Sequence, residues 1–213
     1  MILRNGWWFP DADDFMWREM KNGGYQNDHL DAALAFVTDW SCAIDGGAHV
    51  GVWTKALAFR FQFVMAVEPA PDTFACLVEN TGSLAKVERF PIALSALHGK
   101  ASLHLDHKQA ERKNTGGRFI KRNDTGDIRC ESIDSWDLQM LGFLKLDIEG
   151  SEPMAIAGAA QTIRRCKPVV LFEDKGFCTR YGHARDASQV VLAALGYEHK
   201  ARVGHDEIWT ARA

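Results

Sequence analysis

Apolar and polar positions along this chain alternate with two different periods, which predicts strands and helices that follow one another in turn. Short, nearly continuous apolar runs predict buried strands, and the segments between them carry apolar residues at helical spacing. Apolar strands separated by helices are typical of parallel strands covered on both faces. The pattern therefore predicts an α/β fold with a mostly parallel sheet. The predicted strands are 42–45, 63–69, 87–95, 143–150 and 168–174, and the predicted helices are 50–60, 71–84, 151–164 and 187–195.

The two ends of the chain depart from this alternation. Residues 1–38 precede the first predicted strand and favour a helical cap, with helices at about 13–21 and 30–37. At the other end, 197–203 and 207–212 carry the alternation of an antiparallel pair. Such a pair is compatible with an otherwise parallel sheet, so we expect it to close the sheet.

Residues 100–134 interrupt the strand–helix pattern with two segments of period-two alternation, 100–105 and 128–134. A polar, glycine-bearing stretch separates them, and this arrangement predicts an inserted β-hairpin or meander with a mobile loop. The stretch at 108–122 is basic, with six lysines and arginines against one acid. It is either a solvated loop or a lid that attracts an anionic substrate.

The composition favours one globular domain over residues 1–213, because 46% of the residues are hydrophobic and 25% are charged. The formal net charge of −3 argues against a general polyanion binder, so nucleic acid is a disfavoured partner. No apolar run approaches the roughly 18 residues of a membrane span, and five cysteines without a CxxC pair indicate a reduced protein. We therefore expect a cytoplasmic protein with no membrane partner and no structural zinc. The oligomeric state stays open.

A glycine turn follows the first predicted strand directly, in the segment AIDGGAHVG at 43–51. The dinucleotide fingerprint GxGxxG is broken there by Ala48, and the Walker pattern is absent. A carboxylate at the mouth of the turn, Asp45, would repel a pyrophosphate but attract a cation. S-adenosylmethionine carries an ammonium and a sulfonium, and Glu68 at the end of the next strand suits its ribose hydroxyls. The turn therefore predicts S-adenosylmethionine as the cofactor and disfavours an NAD-dependent enzyme.

Further acids stand where predicted strands run out, at one edge of the predicted sheet. Asp147 and Glu149 belong to the fourth strand, and Glu173 and Asp174 belong to the fifth. Parallel strands bring their carboxyl ends together, and ligands bind there in open sheets. For methyl transfer we expect Asp147 to be the general base or to position the acceptor, with Glu149 second and Glu173 as a further candidate. The alternative is that polar residues are common wherever strands reach the surface.

Two positions have a structural interpretation beside the catalytic one. Glu149 lies just ahead of the helix predicted to begin at Ser151, where an acid stabilises the helix end. Lys145 precedes Asp147 by two residues, so both side chains point to the same side of the strand. Lys145 therefore either pairs with an acid or orients the substrate.

Four segments, taken in order, carry a resemblance to a known family. They are AIDGGAHVGVWT, AVEPAPDTFACLVEN, LKLDIEGSEPMAIAGA and KPVVLFE, which together cover roughly residues 40–175. In these segments the chain resembles the FkbM family of S-adenosylmethionine-dependent methyltransferases. The resemblance implies a class I, Rossmann-like methyltransferase fold, which is a three-layer sandwich around a mostly parallel seven-stranded sheet with an antiparallel last strand. It also implies O-methylation of a hydroxyl on a small molecule or glycan, often a sugar.

The resemblance also implies which residues surround the cofactor. Asp45 and the glycine turn would lie at its methionine end, Glu68 at the ribose, and Ser95 near the adenine. His49 stands where the family often has asparagine, and residues 1–24 match no general family pattern. These departures leave the hydrogen bonds of the turn and the substrate pocket undefined. The cofactor-binding residues expected are Asp45, Gly46, Gly47, Ala48, Gly51, Glu68, Pro69 and Ser95.

The acids of the fourth and fifth strands raise one further expectation. Carboxylates from Asp147, Glu173 and Asp174 would meet at neighbouring strand ends and would suit Mg²⁺. This arrangement is similar to that of the metal-dependent macrocin-type sugar O-methyltransferases. Mg²⁺ is therefore a second candidate cofactor.

Other functions stay open at this point. Lys145, Asp147 and the basic stretch are compatible with an RNA 2′-O-methyltransferase, although the net negative charge argues against it. A non-catalytic S-adenosylmethionine-binding module would need the glycine turn but not the strand-end acids. The opening WWFP at 7–10 is either part of the core or an aromatic platform for a sugar.

Overall fold

The structure is a computed structural model that describes residues 1–21 and 26–212. The part of the predicted N-terminal cap at 22–25 lies outside the described residues. The strands are β1 (Ile2–Arg4), β2 (Trp7–Phe9), β3 (Cys42–Gly46), β4 (Phe63–Val67), β5 (Val87–Phe90), β6 (Ile92–Leu94), β7 (Gly99–Leu105), β8 (Arg118–Arg122), β9 (Ile128–Glu131), β10 (Phe143–Leu146), β11 (Val169–Glu173), β12 (Tyr197–Val203) and β13 (Asp206–Ala211). The α-helices are α1 (Phe15–Lys21), α2 (Asn27–Leu34), α3 (Val52–Ala58), α4 (Pro71–Thr81), α5 (His107–Glu111), α6 (Glu152–Ala157), α7 (Ala160–Cys166) and α8 (Ala187–Ala194).

A seven-stranded sheet runs through the molecule in the spatial order β12-β13-β11-β10-β3-β4-β5. Strands β3, β4, β5, β10 and β11 pair in parallel, whereas β13 is antiparallel to both of its neighbours. Within this sheet β13, the last strand, therefore runs against all the others. This confirms the mostly parallel sheet with an antiparallel last strand that the resemblance implied.

Helices cover both faces of this sheet. Successive strand residues point to opposite sides, so each strand contributes to the apolar contacts on both faces. On one face Ile44 belongs to an apolar cluster with Ile156 of α6. On the other face its neighbour Ala43 belongs to a cluster with Leu57 of α3 and Leu77 of α4. The strands are thus buried on both sides, which explains why they are nearly continuous apolar runs.

The order of strands reverses between β3 and β10. From β3 the chain proceeds through α3 to β4 on one side, while β10 lies against β3 on the other side. The connections leave the sheet in opposite directions at this point, so a crevice opens beyond the carboxyl ends of β3 and β10. This crevice is where the fold can bind a ligand.

The insertion forms a second sheet of four strands in the order β6-β9-β7-β8. The two strands predicted for the insertion are β7 and β9, which pair antiparallel, and β8, which was not predicted, pairs with the other edge of β7. The stretch at 108–122, predicted as a loop, instead holds most of α5, a short 3-10 turn at Thr115–Gly117, and β8. The predicted strand 87–95 is divided at Pro91, because proline cannot donate to the ladder, and its two halves join different sheets.

The helix predicted over 151–164 is also divided, into α6 and α7. At the break, Gly158 packs so closely that a Cβ there would lie 2.1 Å from the Ser95 carbonyl oxygen. The Gly158 carbonyl accepts a hydrogen bond from the Asp134 N–H at 2.8 Å instead of continuing the helix. The Asp134 carboxylate then caps α7 by accepting two N–H groups of its first turn.

The N-terminal segment contains a small antiparallel pair, β1 and β2, ahead of the predicted helices. Phe9 of WWFP is fully buried and clusters with Met16, Val50 and Cys76. The aromatic opening is therefore part of the core rather than a platform for a sugar. None of the helices within 1–21 and 26–212 combines the length and apolar character needed to cross a bilayer.

Candidate functional site

A cavity of about 480 Å³ lies beyond the carboxyl ends of β3, β4, β10 and β11. Its volume falls in the usual range for a small-molecule site. The sheet side of the cavity consists of the glycine turn, the end of β4 and the loop after β10. Helix α1 and residues 109–120 of the insertion cover it from the other side, so the two segments outside the strand–helix pattern enclose the site.

The structure brings most of the predicted site residues to this cavity, but not all of them. The predicted residues that line it are Gly47, Ala48, Glu68, Pro69, Asp147, Glu149 and Glu173. The predicted residues that do not line it are Asp45, Gly46, Gly51, Ser95 and Asp174. The residues of the second group lie behind the wall of the cavity or point away from it.

The glycine turn needs glycine because it lies directly against β10. Gly47 has a φ of +75°, and a Cβ there would lie 1.9 Å from the Asp147 carbonyl oxygen. The N–H groups of Gly47 and Ala48 both donate to the Val67 carbonyl, at 2.9 and 3.0 Å. Those N–H groups are therefore used within the protein and are not offered to a phosphate. This agrees with the prediction that the turn is not a pyrophosphate cradle.

Asp45 is fully buried behind the turn, and both of its carboxylate oxygens have partners. The Lys145 ammonium donates to one oxygen at 2.9 Å, and the Thr54 hydroxyl donates to the other at 2.6 Å. The same ammonium donates to the Gly47 carbonyl at 2.9 Å. Burial alone would lower the pKa of Lys145, but the Asp45 and Asp147 carboxylates raise it overall. The cation beside Asp45 is thus the chain's own lysine, and Asp45 acts on the cavity through the turn that it holds.

Glu68 lies at the cavity with its carboxylate fixed in place. It accepts hydrogen bonds from the N–H of His49 at 2.9 Å, the N–H of Ala70 at 2.9 Å and the Thr73 hydroxyl at 2.8 Å. A carboxylate has about four acceptor positions, so these partners leave one for a ligand hydroxyl. Glu68 therefore lines the cavity with one acceptor position open, and its contact with a ribose stays a prediction.

Ser95 does not reach the cavity, contrary to the expectation that it contacts adenine. Its hydroxyl is buried and accepts a hydrogen bond from the Arg122 guanidinium at 2.7 Å. Its N–H donates to the Glu131 carbonyl at 2.8 Å as the chain leaves β6. The preceding residues Ala93 and Leu94 do line the cavity, so this wall is apolar rather than hydrogen-bonding.

Three acids, Asp147, Glu149 and Glu173, converge at the ends of β10 and β11, and we call them the carboxylate trio. One carboxylate oxygen of each lies within 4.8 Å of the oxygens of the other two. Glu149 is placed by a tight loop in which its own φ is +55°, a strained value for a residue other than glycine. The Glu152 carboxylate stabilises this loop by accepting the N–H groups of Ile148 and Gly150, both at 3.1 Å.

Lys175 is the cation of the carboxylate trio. Its ammonium lies 2.7 Å from an oxygen of Glu173 and 3.8 Å from an oxygen of Glu149. Burial raises the pKa of Glu149 to about 7, and the Lys175 charge only partly opposes this. Burial and the Asp147 carboxylate raise the pKa of Glu173 in the same direction. The carboxylate trio therefore holds a proton more readily than isolated acids would.

The magnesium set predicted from sequence does not form. Asp174 follows Glu173 on the strand and therefore points to the other side, where it accepts a hydrogen bond from the Gln189 amide at 2.9 Å. Glu149 takes its place in the carboxylate trio, and the Lys175 ammonium already lies against two of the three carboxylates. Because this donor set includes its own cation, it does not fit the Mg²⁺ site that the sequence predicted.

His49 joins the glycine turn to the two segments that cover the cavity, α1 with the residues just before it and residues 109–120, which we call the cover. Asp13 accepts a hydrogen bond from the Met16 N–H at 2.9 Å, and the Thr115 hydroxyl donates to the same carboxylate. That hydroxyl has one hydrogen, so it accepts from the His49 Nε2–H at 2.8 Å. The pKa of Asp13 is lowered despite its burial, because His49 and Thr115 stabilise its charge. The network connects the N-terminal segment, the insertion and the turn.

The basic residues of the insertion divide into internal ties and free charges. Lys113 pairs with Asp14, directly before α1, and so joins the two covering segments, whereas Arg118 pairs with Asp72 of α4 and so holds the insertion to the body of the protein. Arg122 is likewise used in the contact with Ser95 described above. Arg112 is exposed, lines the cavity, and has no ion pair with any residue in the described part of the chain.

Sequence reasoning missed Lys175, Glu152, Asp13 and the role of His49. Lys175 follows Glu173 by two residues but lies beyond the end of β11, where period-two alternation no longer predicts the direction of a side chain. Glu152 lies two residues beyond Gly150 in a tight turn, where a side chain can reach back to backbone N–H groups. His49 had no such signal, because its partners are distant in sequence.

Comparison with known proteins gives a consistent picture. The sequence profile of the family described as Methyltransferase FkbM domain matches residues 45–198, which is most of the chain. No curated protein matches this sequence closely enough to count as a relative.

Two crystal structures illustrate the likeness of the fold. Methyltransferase FkbM from Methylobacillus flagellatus KT is 15% identical, with a TM-score of 0.51, over 81% of this chain and 43% of that protein. This chain therefore spans less than half the length of that protein. N-methyltransferase NodS from Bradyrhizobium japonicum WM9, in complex with S-adenosyl-l-homocysteine, is 13% identical with a TM-score of 0.51, over 93% and 91% of the two chains. These likenesses show a class I methyltransferase fold.

Proposed function

Because the chain belongs to the FkbM methyltransferase family, we propose that it is an S-adenosylmethionine-dependent O-methyltransferase. We further propose that its acceptor is a hydroxyl of a small molecule or glycan, and specifically of a sugar. One observation carries the proposal: a single cavity joins a ribose-type acid, Glu68, to the carboxylate trio. Five free cysteines fit a reducing compartment, so we place the reaction in the cytoplasm.

The cofactor side of the cavity is the glycine turn together with the ends of β4 and β6. The free acceptor position of Glu68 suits a ribose hydroxyl, and Pro69 lies next to it in the lining. Ala93 and Leu94 supply an apolar wall for adenine. Gly47 and Ala48 flank the methionine end, with Asp45, Gly46 and Gly51 supporting the turn from behind.

The acceptor side lies at the carboxylate trio. When bound, S-adenosylmethionine supplies an electrophilic methyl group, so the protein must hold the acceptor oxygen and remove its proton. Asp147 is the most exposed member of the trio, and its side chain accepts no hydrogen bond from the described residues. We therefore assign Asp147 as the general base. Glu149 and Glu173 lie beside it, and their protonation sets the charge around it.

The cover gives the acceptor pocket a mixed character. Phe15 and Phe119 line it and offer aromatic faces, which pack well against the apolar face of a sugar ring. Arg112 offers a charge that could pair with a phosphate or carboxylate on the acceptor. These residues favour a sugar that carries an anionic group.

An RNA acceptor has weaker support. Three of the six basic residues in 108–122 are engaged within the protein, and the net charge of the chain is −3. Binding to RNA depends mainly on free cations that meet phosphates. A non-catalytic binding module is also less well supported, because it would have no use for buried acids with raised pKa values.

A labelled-methyl transfer screen tests this function. The purified protein is mixed with methyl-labelled S-adenosylmethionine and with glycans, nucleotide sugars or RNA, and calorimetry measures the cofactor affinity in parallel. We expect S-adenosylmethionine binding and label in the sugar fraction. Binding of NAD in place of S-adenosylmethionine would contradict the cofactor, and label found only in RNA would contradict the acceptor.

A further inference from the structure

Lys175 places a positive charge inside the carboxylate trio. Its ammonium contacts Glu173 at 2.7 Å and faces Glu149 at 3.8 Å, and the side chain is one-third exposed toward the cavity. The ammonium also lies 5.8 Å from the centre of the Phe177 ring, which favours a cation at that position. The lysine is therefore held from two sides.

The carboxylate trio has the donor chemistry of a divalent-cation site. Three carboxylate oxygens within 4.8 Å of one another could converge on one ion, as Mg²⁺ and Mn²⁺ prefer oxygen ligands. An ammonium that contacts one of these carboxylates and faces a second would repel such an ion at short range. Lysine and metal are therefore alternatives at this place.

We propose that the Lys175 ammonium takes the place of a divalent cation, so that methyl transfer in this protein needs no metal. In this role Lys175 is a positioning residue. It holds Glu173 and Glu149 together against their mutual repulsion and leaves Asp147 turned toward the acceptor. The inference rests on the proposed function, since it concerns the acceptor end of the same cavity.

The structure indicates what removal of the lysine would do. Without the ammonium, three carboxylates would lie within 4.8 Å of one another with no ion pair to a described residue, since Lys145 and Arg180 act on them only from a longer distance. Such a group either takes up protons or recruits a cation from solution. A variant that lacks the charge should therefore acquire the metal binding that the wild-type protein lacks.

The experiment compares the wild-type protein with Lys175→Met, Lys175→Arg and a matched control. Lys200→Met is the control, because Lys200 also pairs with a glutamate, Glu198, but lies on β12 away from the cavity. Mn²⁺ binding is measured by the loss of its free electron paramagnetic resonance signal. S-adenosylmethionine affinity, kcat and KM are measured for each protein with EDTA and with Mg²⁺. Circular dichroism checks that each variant is folded.

We expect the wild-type protein, Lys175→Arg and Lys200→Met to bind no Mn²⁺ at about 1 mM, the weak end of protein sites for divalent cations. Turnover of the wild-type protein should be the same in EDTA and in Mg²⁺. Lys175→Met should bind one Mn²⁺ and lose kcat by about a hundredfold in EDTA, with unchanged cofactor affinity. Mg²⁺ should restore part of that loss, and Lys175→Arg should keep most of the wild-type kcat.

Two outcomes would overturn the inference. One is a wild-type protein that binds one Mn²⁺ or loses turnover in EDTA, and this result needs no variant that folds. The other is a folded Lys175→Met that neither binds Mn²⁺ nor loses turnover. If no acceptor is methylated but the Mn²⁺ results follow expectation, the proposed function fails while the role of Lys175 as the cation of the site stands.

Discussion

The acids at two pairs of strand ends, on the same edge of the sheet, differ in how many hydrogen bonds they accept. At β3 and β4, Asp45 and Glu68 accept hydrogen bonds from side chains and N–H groups around them. At β10 and β11, the carboxylates of the trio lie close to one another, and Lys175 is the one described residue that forms an ion pair with them. Asp45, Glu68, Glu149 and Glu173 are all buried, with exposed fractions of 0 to 8%. Burial alone therefore does not separate the two groups; the number of donors does.

This difference separates carboxylates that shape the backbone from carboxylates that can exchange protons. A carboxylate that accepts several hydrogen bonds keeps its charge and fixes the backbone around it. A carboxylate that is buried with few donors gains affinity for a proton, which suits a group that must exchange protons near neutral pH. The first pair shapes the cofactor turn, and the carboxylate trio supplies the chemistry that we propose.

The largest effect is expected for a substitution at Asp45. Asp45→Asn should lower the free energy of unfolding by about 3–5 kcal/mol, because it leaves the buried Lys145 charge without its partner. Urea unfolding at pH 7 measures the loss, and Thr54→Val is a control that removes one hydrogen bond to the same carboxylate, worth about 1.5–3 kcal/mol, and leaves the ion pair in place. Equal losses in the two variants would show that the ion pair does not shape the turn.

Glu149 should give the stability of the protein a pH dependence that a well-solvated acid does not give. Its pKa is raised from the usual 4.5 to about 7, so the folded protein binds its proton more tightly than the unfolded chain. The resulting stability, roughly 3 kcal/mol, is complete below pH 4.5 and is lost as the pH rises through 7. Unfolding curves of the wild-type protein and Glu149→Gln should therefore differ in slope between these pH values. Glu79→Gln, at an exposed site on α4, should follow the wild-type curve.

Asp147 tests whether the carboxylate trio performs the reaction. Asp147→Asn should lower kcat by about a hundredfold, since proton removal from the acceptor loses its base, while S-adenosylmethionine affinity stays the same. Asp174→Asn is the matched control, because Asp174 binds Gln189 outside the cavity, and it should keep normal turnover. Full activity in Asp147→Asn would move the base to Glu149 or Glu173.

The smallest effect is expected at the cofactor acid. Glu68→Gln should weaken S-adenosylmethionine binding about tenfold, because an amide cannot accept both backbone N–H groups and a ribose hydroxyl together. Calorimetry measures the affinity, with the exposed Glu88→Gln as control. An affinity that did not change would separate Glu68 from the ribose.

Much of the fold could be predicted because its signals are local. The period of the apolar residues predicts the order of strands and helices. Acids that directly follow apolar runs predict a functional site at one edge of the sheet, because the carboxyl ends of parallel strands lie at the same edge. Pro91 shows the limit of this reasoning. A proline in the predicted strand 87–95 predicts a break, but only the assembled molecule directs the second half to another sheet.

The class of fold, the glycine turn and the edge of the sheet at which the acids gather all follow from local patterns in the sequence. Tertiary structure alone decided the partners of those acids. Lys145 lies opposite Asp45 because β10 pairs with β3 in one particular register, across 100 residues of chain. Likewise the parallel pairing of β10 and β11 brings Glu149 to Lys175, and Asp174 turns away to Gln189. Side-chain pairing depends on register and strand direction, which no local pattern encodes.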